Sequence, residues 1–125
     1  RPAPATPRNL SSALPLIALL AAAQAEVCCT PPAPAATDAL HVVAANLMSD
    51  VLTMDLERPL LLTSLATEQA VRTAHVVGAA AVLVANGKTP PPEMVALARK
   101  LDLPLARTAL SKFDAAVALG KALGA

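Results

Sequence analysis

The chain predicts an α/β protein built on a mostly parallel sheet, and three observations carry that prediction. Short apolar runs recur at Leu60–Thr63, Ala81–Val84 and Leu103–Ala106. A segment with helical periodicity follows each of them. The middle run is apolar at every position, the pattern of a strand covered by helices on both faces. Strands and helices alternating in this way imply a parallel sheet with right-handed crossovers. With 125 residues, 55% of them hydrophobic, the chain has the size of one domain and enough apolar surface for a core.

Residues 1–9, rich in Pro, Ala and Arg, are expected to form a flexible tail, and residues 10–125 a single α/β domain. The apolar run Ala13–Ala23 with Ala23-Gln24-Ala25 after it has the outline of a secretory signal. It is too short for a bilayer, which takes about 20 apolar residues. The preferred reading is a first helix over residues 12–25, capped by Ser11 or Ser12, with Pro15 in its first turn. Glu26–Thr30 reads as a strand stopped by Pro31, Pro32 and Pro34. His41–Ala45 reads as a second strand, and Ser49 as the N-cap of a short helix through Met54.

The regular half follows. Helical periodicity over Thr67–Val77 places Ala70, Val71, Ala74 and Val77 on one face, and Gly78 is a good stop. The next helix starts near Pro92-Glu93. Its apolar face is Met94, Leu97, Ala98 and Leu101, with Arg99 and Lys100 suited to the dipole at its end. Asp102 takes the ending turn and Pro104 prevents continuation. Ser111–Asp114 resembles a capping box with Asp in place of Glu. The last helix is expected to carry Phe113, Ala116, Val117 and Gly120 inward. Thr63-Ser64-Leu65 and Thr108-Ala109-Leu110 occupy the same kind of strand-to-helix turn and predict shared turn chemistry.

Composition excludes several functions. Phe113 is the only aromatic residue and the net charge is +1. Without aromatic platforms or a basic stripe, no nucleic-acid partner is expected. No membrane partner is expected either. The cysteines, Cys28 and Cys29, are adjacent, a poor arrangement for a mutual disulfide. Neither has a zinc-ligand neighbour, so both read as small apolar residues of a strand in a reducing, cytoplasmic setting. His41 and His75 lack partners at metal or triad spacing; His75 reads as a helix-surface residue. Asp38, Asp50, Asp55 and Glu57 have no spacing that makes any two converge. No metal and no cofactor are expected.

In an open parallel sheet, ligands sit outside the carboxyl ends of the strands. The candidate ligand-binding residues there are Thr63, Ser64, Asn86, Gly87, Lys88, Thr108 and Ser111. Their hydroxyls, amide and ammonium, beside helix N-termini, suit a phosphate or carboxylate. Gly87-Lys88-Thr89 is not a P-loop. The first glycine of that motif would fall at Val82, inside a strand, and Pro90, Pro91 and Pro92 stand where its helix should begin.

Several stretches resemble the DRTGG-domain family, in particular its short stand-alone type found near iron-only hydrogenase components. They are Leu47–Leu52, Leu60–Thr63, Ala81–Pro90, Ala98–Leu105 and Thr108–Asp114, and together with the start of the domain they cover most of the chain. The resemblance implies a Rossmann-like three-layer α/β sandwich and a regulatory or oligomerising role. The chain carries Thr63-Ser64-Leu65-Ala66 where the family has a Gly-Asp-Arg type turn, and Asn86-Gly87 where it has paired glycines. Ligands that depend on that arginine are therefore not carried over, nor is kinase activity.

The function expected is a non-catalytic regulatory or ligand-binding module that self-associates as a homo-oligomer. It would take a small anionic ligand or a protein partner, accessory to a hydrogenase or phosphotransfer system. The alternative is an enzyme acting on a phosphorylated small molecule at the same strand ends, with Lys88 and Thr63 essential.

Overall fold

The computed structural model describes residues 14–29, 38–39, 41–46, 48–52 and 58–123. The expected tail, Ser11 and Ser12, the loop at Pro31–Pro34, and Asp55 and Glu57 lie outside them.

Among the described residues the chain runs β1 (Leu14–Pro15), α1 (Leu16–Ala22), β2 (Ala25–Cys29), β3 (Asp38–Ala39), β4 (His41–Ala44) and α2 (Met48–Leu52). It continues through β5 (Pro59–Thr63), α3 (Glu68–Val76), β6 (Ala81–Val84), α4 (Pro92–Lys100), β7 (Leu105–Thr108) and α5 (Lys112–Ala122). The main sheet has five strands in the order β2-β7-β6-β5-β4, while β1 and β3 form a separate two-stranded ladder. Strands β4, β5, β6 and β7 pair in parallel. Leu61, Val82 and Leu105 are register partners across three neighbouring strands, as the apolar runs predict. β2 alone runs antiparallel, along β7, and its register shifts between Val27 and Cys29. Cys28 is thus the extra residue of a bulge on an edge strand.

Every residue of β5 and β6 is buried. Alternate side chains of β6 feed two cores. Val82 and Val84 pack with Val71, Ala74, Met94 and Ala98 of α3 and α4, and with Met48 and Val51 of α2. Ala81 and Leu83 pack with Leu16, Leu19 and Leu20 of α1 and Ala115 and Leu119 of α5. The molecule is therefore the three-layer α/β sandwich expected, with a mostly parallel sheet in the middle.

Local signals account for most boundaries. α3 and α4 end in the same way. Gly78 N–H donates to His75 O and Ala79 N–H to Ala74 O; Asp102 N–H donates to Arg99 O and Leu103 N–H to Ala98 O. This pair of hydrogen bonds satisfies the last carbonyls and requires a left-handed residue just past the helix; Gly78 has φ +71 and Asp102 has φ 55. A Cβ at Gly78 would meet nothing within 4 Å. Gly78→Ala should therefore cost only its backbone strain, about 1 kcal/mol, read as a lower urea midpoint with unchanged slope.

Four expectations are corrected. The first helix is shorter than residues 12–25, because Gln24 turns the chain at φ 55 and β2 starts at Ala25. Helix α2 begins at Met48, which puts Ser49 inside it and not at its cap. The last parallel strand is Leu105–Thr108 and not Leu103–Ala106; Pro104 has no N–H for a ladder and contributes only its carbonyl, to Val82 N–H at 3.0 Å. Helix α5 buries Ala115 and Leu119, whereas Phe113 is 75% and Val117 39% exposed, and Ala116 and Gly120 are half-buried. With alanine, valine and leucine on several sides of α5 and Lys112 next to its buried side, the sequence does not mark clearly which side faces the core.

Candidate functional site at the carboxyl edge of the sheet

Parallel β4, β5, β6 and β7 all end at one edge, and the residues leaving them are polar. Thr63 ends β5 fully buried. Its hydroxyl donates to Asn46 Oδ1 at 3.2 Å and accepts from Leu65 N–H at 3.1 Å. Ser64 N–H donates to the same Asn46 oxygen at 2.9 Å. Thr108 ends β7 with the same local bond: its hydroxyl accepts from Leu110 N–H at 3.2 Å and donates to Ala23 O at 2.7 Å. The two Thr-x-Leu turns therefore share their chemistry, a threonine oxygen closing the turn two residues on.

The Asn86-Gly87 turn after β6 is tied to the neighbouring connection. Both residues are left-handed, with φ 65 and φ 69. Asn86 N–H donates to Leu110 O and Gly87 N–H to Thr108 O, while Asn86 Oδ1 accepts from Lys112 N–H at the start of α5. Ser111 caps that helix by accepting from Asp114 N–H at 3.0 Å. Arg107 holds the turn from the other side, with Nη2 donating to Gly87 O at 2.9 Å and Nε to Lys88 O at 3.2 Å. A pair with Glu26 at 3.4 Å anchors the guanidinium on β2.

The seven expected residues thus share one edge but differ in what they leave available. Thr63, Thr108 and the Ser111 oxygen serve the fold. Asn86 and Lys88 are exposed, and Gly87 is exposed between them. Sequence reading missed Asn46 and Arg107. Asn46 had a signal, because it follows β4 by two residues as Asn86 follows β6, each behind an alanine. Arg107 is the one charged residue of β7, which marks a side chain reaching the end of its strand.

Elsewhere the chemistry is quieter. Cys29 is buried and Cys28 half-buried, and both are free thiols. Burial pushes the Cys28 thiol above its ordinary pKa, the Glu26 carboxylate and Cys29 add to that, and Arg107 partly offsets it. A thiol held protonated is a poor nucleophile. His75 is exposed on α3. Among the described residues no three of His, Cys, Asp and Glu gather as a metal-binding group, and no helix is long and apolar enough to cross a membrane. A hollow of about 210 Å³ lies at the opposite edge, between Arg58, His75, Gly78, Asp102 and Pro104. That is below the roughly 300 Å³ at which pockets enclose drug-sized ligands.

The fold is that of a CBS/DRTGG-like α/β sandwich. A solved structure with this likeness is that of the CBS and DRTGG domains of the regulatory region of Clostridium perfringens pyrophosphatase, complexed with the activator diadenosine tetraphosphate. The match has a TM-score of 0.69 at 16% identity and covers 97% of this chain and 52% of that one. The chain thus spans about half the length of that regulatory region, and identity this low establishes the fold alone. No family model and no curated protein matches the sequence.

Proposed function

We propose that this chain is a regulatory module of the DRTGG type, which binds a small anionic ligand at the carboxyl edge of its sheet, associates with itself and catalyses nothing. The observation that supports this reading most is the likeness to a regulatory region over 97% of the chain. That region holds a nucleotide activator, a polyanion. At the carboxyl edge of its own sheet, this chain offers the exposed Lys88 beside the left-handed Asn86-Gly87 turn. The family resemblance suggests a hydrogenase or phosphotransfer component as its partner and the cytoplasm as its place. The alternative enzyme reading makes Thr63 essential at the strand ends, but its hydroxyl is buried and already both donates and accepts within the fold.

A thermal-shift screen of nucleoside phosphates and phosphorylated metabolites tests the proposal, with dye or calorimetric readout because the chain has no Trp or Tyr. A true ligand at a hundred times its dissociation constant adds about 2.7 kcal/mol to stability. Lys88→Ala should remove most of that shift and leave the unliganded melting temperature unchanged, since Lys88 is exposed. Absence of any shift overturns the ligand-binding reading. A shift untouched by Lys88→Ala moves the site away from this edge.

A further inference from the structure

In a regular strand, residues two apart share a face of the sheet and neighbours are parted. β2 breaks that rule. Residues directly opposite in an antiparallel ladder lie on one face, and Val27 pairs with Ala106 while Cys29 pairs with Leu105. Ala106 belongs to the core under α1 and α5, Leu105 to the core under α3 and α4. Val27 and Cys29 therefore face opposite sides, although only one residue separates them. Cys28, the residue that the bulge adds, takes the side opposite Val27, which is the side of Cys29. Its packing agrees, since Cys28 lies against the same core in which Cys29 is buried. The bulge thus brings two neighbouring thiols onto one face. Cys29 is 2% exposed and Cys28 half-buried, so one sulfur sits in the core and the other at its surface. Both are free thiols. The Cys28 sulfur has only a long contact, to Glu26 O at 3.8 Å. Among the described residues the buried Cys29 sulfur has no hydrogen-bond partner.

We propose that Cys28 and Cys29 are the two ligands of a monovalent copper ion. The donor set selects the class of ion. Thiolates hold soft ions such as Cu(I). Structural zinc takes four ligands, whereas among the described residues no three of His, Cys, Asp and Glu gather as a metal-binding group. Glu26 shares this face, being opposite Arg107, but its carboxylate is paired with that guanidinium at 3.4 Å. Two thiolates without a third donor fit an ion that accepts two-coordination, as Cu(I) does. A disulfide is the poorer bridge. Neighbouring Cα atoms lie about 3.8 Å apart, and a disulfide usually takes at least about 4.4 Å; an ion between the sulfurs lengthens the span. Each thiol gives up its proton on binding, and no electron is transferred. Cys29 pairs with Leu105 at the start of β7, so the pair lies at the edge of the sheet away from Lys88.

Anaerobic titration of the full, reduced chain with Cu(I) held by a chromophoric chelator tests this. The expected result is one copper per chain withdrawn from the chelator, with X-ray absorption showing two sulfur neighbours and no nitrogen or oxygen. Cys28→Ser and Cys29→Ser should each abolish retention, because one thiolate does not hold the ion against the chelator. Cys28 is half-buried on an edge strand, so Cys28→Ser should melt near the parent's temperature, which separates a lost ligand from a lost fold. Phenylarsine oxide checks the geometry without copper. Its arsenic condenses with two thiols and releases one water, and it should bridge the parent chain but neither single variant. Copper left on the chelator overturns the proposal, as does copper retained by both single variants. Zinc held in preference to copper, at one ion for two chains, overturns the two-coordinate site. An arsenical bridge in a chain that releases all copper overturns the ion and leaves the paired thiols standing. None of these results bears on ligand binding at Lys88, which the thermal shift decides separately.

Discussion

Leu83→Ala is expected to lower the unfolding free energy by about 3–4 kcal/mol, the upper part of the range for such truncations. Leu83 is fully buried on β6, the central strand of the main sheet, and points into the core shared with α1 and α5. Its surroundings make the cost high. Much of that core is alanine, including Ala80, Ala81, Ala85, Ala106 and Ala115. Alanine has no rotatable side chain with which to fill a void, so the cavity stays open and its lining loses dispersion contacts outright. Against a total stability of about 5–15 kcal/mol, the variant should melt at least roughly 10 °C lower. Leu83→Met, which nearly keeps the volume, should lose less than about 1.5 kcal/mol. Equal melting of the alanine and methionine variants would show that this core is not close-packed.

Thr108→Val should cost about 2–3 kcal/mol while changing side-chain volume little. The Thr108 hydroxyl is the hydrogen-bond partner of two groups at once, Ala23 O and Leu110 N–H. Valine leaves both without it. Ala23 is fully buried, so water does not replace the lost bond there, and the junction between α1 and β2 keeps only the backbone ladder that starts at Ala25 and Thr108. Thr108→Ser keeps the hydroxyl and should recover most of the loss. Thr63→Val is the informative contrast. It breaks the same local bond, to Leu65 N–H, but its other partner is the carboxamide of the exposed Asn46, which water can resolvate. About 1 kcal/mol is expected there. Chemical denaturation of the three variants checks the ranking; equal losses at Thr63 and Thr108 would contradict the role given to Ala23.

The carboxyl edge was legible in part, and for a specific reason. Thr63, Asn86 and Thr108 were readable because polar residues at or within two positions of the end of an apolar run mark where a strand leaves the sheet. Their tasks were not. Whether a threonine hydroxyl faces a ligand or a backbone carbonyl depends on Ala23, 85 positions away in sequence from Thr108. Arg107 escaped notice for the same reason. Its partners, Gly87 and Lys88 on one side and Glu26 on the other, come together only when β2 lines up beside β7.

What the sequence determined by itself was everything encoded over a turn or two of chain. The apolar runs of β5 and β6 specify strands covered on both faces, the one-sided periodicity of α3 and α4 specifies which side of each is buried, and Gly78 and Ser111 specify where helices stop and start. Tertiary structure alone decided the antiparallel seat of β2 at the edge, the two-residue shift of β7, and the side of α5 that meets the sheet. Local patterns fix a conformation because they act between near neighbours. Pairing partners and buried faces are chosen by competition among distant surfaces, and a helix as weakly amphipathic as α5 leaves that choice to the sheet on which it lands.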